Sequence, residues 1–447
     1  MLSAAALATS APEVKVPFER YVLPNGLRVI LHVDRSSPLV AVNLWYHVGS
    51  KDEKAGRTGF AHLFEHLMFM GSKNAPYPSF DTLMEAWGGH NNGTTSTDRT
   101  NYYEIGPSNL LETFLWLEAD RLATLPQVMT DDELGKQRKV VQNERRQSYE
   151  NRPYGKAGLL IPENLYPADH PYHYPPIGSH ADLEAARVDD VREFFARFYV
   201  PANASLVIAG DFDPDIARGL VDKYFAWQPV HPVPPRARPQ TVALAADKRV
   251  ETEDRVQLPR LYLAWHSPAL FAAGDADMDL AARVLGGGKS SRFYRTLVFD
   301  KRIAQDVSAY QDSGMLGGRF GIIVTAKPGH TLDEIERVMD EELGKLQSAP
   351  FSAEEIDRAR NKQLASFYKE LDGLESRADM LNHYEHLLGD PGGVTRDLAR
   401  YAAVTPLTAL GALIDVVKGK RLVLRVVPEK AKAPPSKPVP APGRGKR

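Results

Sequence analysis

Hydrophobic and polar positions follow one another along the chain in two rounds of short strand-like and longer helix-like patterns. In the first round, L-R-V-I-L-H-V (27–33) and L-V-A-V-N-L-W-Y-H-V (39–48) read as strands and a helical run starts at Phe60. A-S-L-V-I-A-G-D (204–211) closes that round as a strand ending in a Gly-Asp turn. The stretch P-V-H-P-V-P-P-R-A-R-P-Q (229–240) is too proline-rich for helix or central strand and reads as a linker. The second round repeats the order: R-L-Y-L-A-W-H (260–266) as a strand, an apolar helix over 275–286, and R-F-G-I-I-V-T-A (319–326) as a strand. Helices near 332–347 and 353–370 follow, and R-L-V-L-R-V-V (421–427) mirrors the earlier closing strand. The repetition predicts an α+β fold of two homologous domains of roughly 200 residues, each a mostly antiparallel sheet with helices on one face. The expected boundaries are an N-terminal extension (1–16), a first domain (17–228), a Pro-rich linker (229–246), a second domain (247–428) and a disordered Lys/Pro-rich tail (429–447).

One helix carries candidate chemistry. In R-T-G-F-A-H-L-F-E-H-L-M-F-M-G-S (57–72), Thr58 can cap a helix start and Gly71 can end it. Phe60, Leu63, Phe64, Leu67 and Met68 form an apolar stripe. His62 and His66 are four residues apart, so their imidazoles share one helix face with Glu65 between them. This H-x-x-E-H order is the inverted zincin arrangement. Two neutral imidazoles one turn apart suit a tetrahedral Zn²⁺ that takes three protein ligands and leaves a position for water. Glu65 would be the general base that takes a proton from that water. The bland reading is a surface helix with two solvated histidines and a glutamate.

Composition narrows the chemistry. The chain has 447 residues, 43% of them hydrophobic and 25% charged, which excludes collagen-like and wholly disordered classes. It has no cysteine, so any transition metal must be held by His, Asp or Glu. A net charge of −2 gives no global pull toward nucleic acid, and no run of 18 apolar residues offers a membrane span. A third ligand is then sought on another element. T-D-D-E-L-G-K-Q-R-K-V-V-Q-N-E-R-R (130–146) opens with a capping box from Thr130 to Glu133, and Leu134, Val140 and Val141 mark its expected buried side. Glu144 points where those residues point and needs a cation, either a metal ion or, as the alternative, Arg145 or Arg146.

H-L-F-E-H followed 78 residues after His66 by the glutamate of V-V-Q-N-E-R-R resembles the pitrilysin/insulinase family of zinc peptidases. The likeness extends over P-N-G-L-R-V (24–29), G-S-K-D-E-K-A-G-R-T-G-F-A-H (49–62), G-G-H-N-N-G-T-T-S-T-D-R-T-N-Y-Y (88–103), F-Y-V-P-A-N-A-S-L-V-I-A-G-D-F (198–212) and G-G-G-K-S-S-R-F-Y-R (286–295). It implies that His62, His66 and Glu144 hold one Zn²⁺ per chain, that Glu65 is the base, and that the first domain is catalytic while the second is not. It also implies that a strand at 92–103 takes an extended peptide along its edge, with Asn92, Gly93 and Thr94 beside the substrate. Family members usually have Ala where Gly93 stands, and without the family N-N-G reads simply as a turn. A second acid seven residues before the ligand is replaced by Gln137, which can support the site through hydrogen bonds. Many complete members carry an Arg and a Tyr that hold the substrate carbonyl. Here L-V-F-D-K-R-I-A-Q (297–305) puts Val298 and Gln305 at those positions, with Arg292, Arg295 and Arg302 as nearby substitutes.

The expected function is a zinc metalloendopeptidase subunit that hydrolyses unstructured peptides in a closed chamber. The expected partner is a homologous chain that supplies the missing Arg/Tyr pair in a heterodimer. The alternative is a catalytically silent core or scaffold subunit, against which the intact H-x-x-E-H argues. The first dozen residues, M-L-S-A-A-A-L-A-T-S-A-P, read either as the remnant of a secretory signal or as a frayed Ala-rich terminus. On the first reading the protein is periplasmic or secreted.

Overall fold

A computed structural model describes residues 14–238 and 242–429. The proposed signal remnant and nearly all of the Lys/Pro-rich tail lie outside the described residues. The first half runs β1 (Glu19–Val22), β2 (Arg28–Val33), β3 (Leu39–Tyr46), α1 (Phe60–Leu67), α2 (Ser79–Trp87), β4 (His90–Thr95), β5 (Thr100–Pro107), α3 (Leu111–Val128) and α4 (Asp131–Arg145). It continues through α5 (Ala157–Leu165), α6 (His180–Ala185), α7 (Val188–Phe198), β6 (Ala204–Gly210) and α8 (Pro214–Phe225). The second half runs β7 (Lys248–Asp254), β8 (Arg260–Ser267), α9 (Asp275–Gly286), β9 (Ala304–Ser313), β10 (Gly318–Ala326), α10 (Leu332–Gly344) and α11 (Ala353–Asp372). It ends with α12 (Leu374–Leu388), α13 (Val394–Ala403), α14 (Pro406–Val417) and β11 (Leu422–Pro428).

Two sheets result, in the orders β1-β2-β6-β3-β5-β4 and β7-β11-β8-β10-β9. In each, the closing strand lies parallel to an early strand (β6 to β2, β11 to β7) and antiparallel to the one that follows it (β3, β8). The remaining pairs are antiparallel. The shared order and shared pairing senses match the repeated α+β pattern of the sequence.

Alternation along the strands fills both faces of each sheet. Val40, Val42 and Leu44 of β3 pack with Phe64 of α1 and Phe114 of α3 in the first core. On the opposite face Ile30, Val207 and Ala209 meet Ala378 and Leu381, which belong to α12 of the second half. The second sheet repeats this. Leu261, Leu263, Phe320 and Ile322 pack on α9 and α10, while Tyr262, Ala264, Leu422 and Leu424 meet Ala157, Ile161 and Leu165 of α5, from the first half. Each half's own helices cover one face and a helix from the other half covers the second. Polar contacts pin the exchange. Asp379 of α12 accepts from Trp45 Nε1 (2.9 Å), Asn101 Nδ2 (3.2 Å) and Asn43 Nδ2 (3.3 Å), and Arg20 forks onto Glu385 at 2.8 and 2.9 Å.

Three local expectations change. The single strand expected over 92–103 is a hairpin, because Ser96–Arg99 form a turn in which the Ser96 amide donates to the Arg99 carbonyl (2.9 Å). The helix that begins at Phe60 ends at Leu67 rather than near Gly71. Thr58 does not cap it: Gly59 stands at the N-cap, and Thr58 turns its hydroxyl to Asp182.

Candidate metal centre

α1 is short, and its start is held from outside the helix. The carboxylate of Glu53 accepts the amides of Gly59 (2.9 Å) and Ala61 (2.7 Å), answering donors that a helix N-terminus otherwise leaves open. The apolar stripe Phe60, Leu63, Phe64, Leu67 and Met68 is buried, which turns His62, Glu65 and His66 toward the other side. α4 crosses there. Its capping box from Thr130 to Glu133 is formed, and Leu134 and Val141 are buried as expected. Val140 is not on that side; it is 47% exposed. Gln137, Val141 and Glu144 fall at helical spacing on the face toward α1, and Gln137 Nε2 donates to Met70 Sδ (2.7 Å) just beyond the end of α1.

The structure brings His62, His66 and Glu144 together. Glu144 Oε2 lies 3.6 Å from His62 Nε2 and 3.5 Å from His66 Nε2, and all three donor atoms lie within 4.8 Å of one another. Ligand atoms on a tetrahedral zinc with bonds of about 2.0–2.2 Å sit about 3.3–3.6 Å apart, so the spacing and the two-imidazole, one-carboxylate set fit zinc. Among the described residues this is the one such group of three. Burial, helped by the neighbouring His66, pushes the His62 imidazole down to about 4, which keeps it neutral and able to donate a lone pair. His62 Nδ1 is buried without a hydrogen-bond partner among the described residues, so none of them fixes the ring's tautomer and a cation at Nε2 would do so. The hydrogen bond from His66 holds the Glu144 carboxyl below its usual range despite partial burial.

Glu65 lies beside the cluster and reaches across to the neighbouring sheet. Its Oε2 accepts the hydroxyl of Thr95 on β4. Burial raises its carboxyl above the ordinary range, and the Thr95 hydroxyl is the strongest group opposing that rise. Behind it, buried Arg121 pairs with Glu118 and with Glu104 (3.3 Å) and lies against the rings of Tyr102, Phe80 and Phe69. Burial and the neighbouring Glu118 carry the Glu104 carboxyl well above its usual range.

The substrate residues expected from the sequence divide between two faces. Gly93 pairs with Tyr102 and faces α1: a Cβ there would sit 3.1 Å from Glu65 Cγ. Asn92 and Thr94 pair with Tyr103 and Asn101 and face α12 instead. Thr95 and Glu53 touch the site and were missed. Thr95 stands in a polar strand with no periodic signal, and Glu53 acts across a loop. Val298 packs half-buried against the second core, and Gln305 is exposed on β9. Of the three nearby arginines, Arg292 is committed to Glu355 and to the carbonyls of Ala349 and Pro350, whereas Arg295 and Arg302 are exposed. No single helix among the described residues is long and apolar enough to cross a membrane.

Comparison with known proteins adds to this geometry. Residues 28–165 match the family model described as "Insulinase (Peptidase family M16)", and residues 185–363 match "Peptidase M16 inactive domain". His62, Glu65, His66 and Glu144 all fall in the former match. Among sequence relatives, zinc protease PqqE of Helicobacter pylori is 29% identical over 368 residues, covering 81% of each chain. Among solved structures, a protease from Helicobacter pylori superposes with a TM-score of 0.84 at 25% identity, over 92% of this chain and 99% of that one. The periplasmic protease PqqL from Escherichia coli shares the fold at a TM-score of 0.75 and 19% identity, and 94% of this chain covers 48% of PqqL.

Proposed function

We propose, for a chain that belongs to the pitrilysin/insulinase (M16) family of peptidases, that it is the zinc-holding subunit of a metalloendopeptidase acting on unstructured peptides. The observation that carries this reading is the His62–His66–Glu144 cluster with Glu65 beside it on the same helix. The three ligands would hold one Zn²⁺ per chain, which when bound supplies Lewis acidity and lowers the pKa of water it holds. Glu65 accepts a proton from the attacking water and returns it to the leaving amine. Its raised carboxyl suits both roles, and Thr95 orients it.

β4 is the last strand of its sheet, so one of its edges has no partner strand among the described residues. The Gly93 amide is answered by its neighbour's side chain, Asn92 Oδ1 at 2.8 Å, as an edge donor is until a strand takes its place. An extended peptide added along this edge would lay alternate side chains toward Glu65 and toward α12.

Val298 carries no donor and Gln305 only a neutral amide, so neither clamps a substrate carbonyl as Arg and Tyr do, and Arg292 is already engaged. We therefore assign the protein to a heterodimer in which a homologous chain supplies an Arg and a Tyr. PqqL, about twice this length, supports a pairing of two such units. The same missing donors favour, as a second reading, a catalytically silent core subunit. The exported location, periplasmic or secreted, rests on residues 1–12, outside the described residues. The deciding experiment measures bound zinc and peptide cleavage by the purified chain with and without an Arg/Tyr-bearing homologue. One zinc per chain, weak cleavage alone and a gain of orders of magnitude with the homologue support the reading. Zinc binding with no cleavage in any combination supports the scaffold.

A further inference from the structure

The zinc ligands stand on two helices, α1 and α4, so their convergence depends on what fixes the gap between those helices. Residues 178–186, which include α6, touch both. On the α1 side, Asp182 Oδ2 accepts the amide (3.0 Å) and hydroxyl (2.5 Å) of Thr58, and Thr58 Oγ1 in turn accepts the Ser179 amide (3.0 Å). The backbones of Gly59 and Gly178 meet directly. Both have positive φ (84° and 67°), and a Cβ on Gly178 would lie 2.4 Å from Gly59 Cα.

On the α4 side, Arg138, Gln142 and Arg145 recur at helical spacing and form a second face, distinct from that of Gln137, Val141 and Glu144. Each binds the same segment. Arg138 Nη1 donates to the Glu184 carbonyl (2.6 Å), Gln142 Nε2 to Glu184 Oε2 (3.1 Å), and Arg145 Nη1 to the Gly178 carbonyl. Glu150 Oε1 completes the link by accepting from Arg145 Nε (3.0 Å) and bonding His180 Nε2 (2.9 Å).

We propose that residues 178–186 form a strut that sets the separation of the two zinc-ligand helices, with Asp182 and Arg145 as its two positioning residues. This rests on the zinc reading above and deepens it: neither residue touches the metal, yet each fixes one side of the cluster. Arg145 follows the ligand Glu144 directly, so anchoring it to the Gly178 carbonyl holds the α4 backbone at the ligand. Asp182 holds the residue just before the α1 N-cap. Groups outside the ligand set that orient ligands in this way typically change metal affinity by about 10–100-fold when removed.

The test is the zinc dissociation constant of the purified full chain, by competition with a chromogenic chelator, together with the thermal midpoint of the zinc-free protein. Asp182→Ala and Arg145→Met should each weaken zinc by about 10–100-fold; Asp182→Ala also lowers the zinc-free midpoint because buried Thr58 loses its acceptor, whereas Arg145→Met leaves that midpoint nearly unmoved. Asp182→Asn keeps an oxygen acceptor for Thr58 and should restore most of the affinity. Arg145→Met carries the test if Asp182→Ala fails to fold. Affinities within about twofold of wild type in the folded variants overturn the strut. So does a loss of affinity in Arg145→Met that only parallels a fall in its zinc-free midpoint. A wild-type chain that holds no zinc overturns the zinc reading and the strut together, whereas wild-type binding with unmoved variants overturns the strut alone.

Discussion

Thr95→Val replaces one hydroxyl by a methyl of nearly the same size and so isolates the hydrogen bond that Glu65 receives. Burial raises the Glu65 carboxyl, and the Thr95 hydroxyl is first among the groups that pull it back, ahead of His66 and Arg99. Without that donor the rise is less opposed, so the base stays protonated to higher pH and the acid limb of kcat/KM moves upward. A hydrogen bond to a charged group contributes roughly 1.5–3 kcal/mol. Solvent and the remaining neighbours recover part of that in a site open on one side, so the lower end applies, about tenfold in rate on the acid limb. The sign gives a shape as well as a size. The ratio of wild-type to variant kcat/KM should be largest at acid pH and shrink as pH rises, because once Glu65 is ionised the variant has its base. The assay is kcat/KM for an internally quenched peptide across the pH range, with zinc content checked at each pH. A rate loss equal at all pH values, or no loss, would refute the role given to Thr95.

Other outcomes follow from the same geometry. Glu144→Ala should lose zinc in a dialysis and metal-content measurement while the chain stays folded, since the carboxylate is 41% exposed and supports no core. Arg121→Met leaves Glu104 and Glu118 buried without their cation and should destabilise the chain by about 3–5 kcal/mol in denaturant unfolding. The loss should deepen as pH rises, because the folded Glu104 carboxyl sits above its unfolded pKa and burial penalises its ionised form. Short unstructured peptides should be cut well inside their ends, as mass spectrometry of the products would show. Efficient digestion of a folded, disulfide-locked protein would contradict binding as an added strand.

Local pattern and long-range geometry contributed differently to what the sequence disclosed. The strands at Leu39 and Arg260, the helix at Asp275 and the repeated order all follow from periodicity, because each signal lies within one element. His62, Glu65 and His66 were legible for the same reason: one helical turn joins them. Glu144 is reachable because α4 has a formed cap and a buried face, although the same periodicity puts Val140 on that face and the structure exposes it. The hairpin at Ser96–Arg99 was hidden, since a polar run without glycine or proline gives a weak turn signal. Glu53, Thr95 and Asp182 act across loops and strands, so no spacing announces them. The exchange of α5 and α12 between sheets was equally out of reach. An apolar helix face shows that it will be buried but not on which sheet.

The central claim, that Glu65 is the base of a zinc peptidase site built on His62, His66 and Glu144, is tested most directly by Glu65→Gln. The substitution keeps the size and helix propensity of the side chain and removes its proton acceptor. Zinc content and peptide turnover are measured on the same preparation, alone and with the homologous partner. The account predicts one zinc retained per chain and turnover reduced by at least ~100-fold. Turnover near the wild-type rate with zinc in place would contradict it.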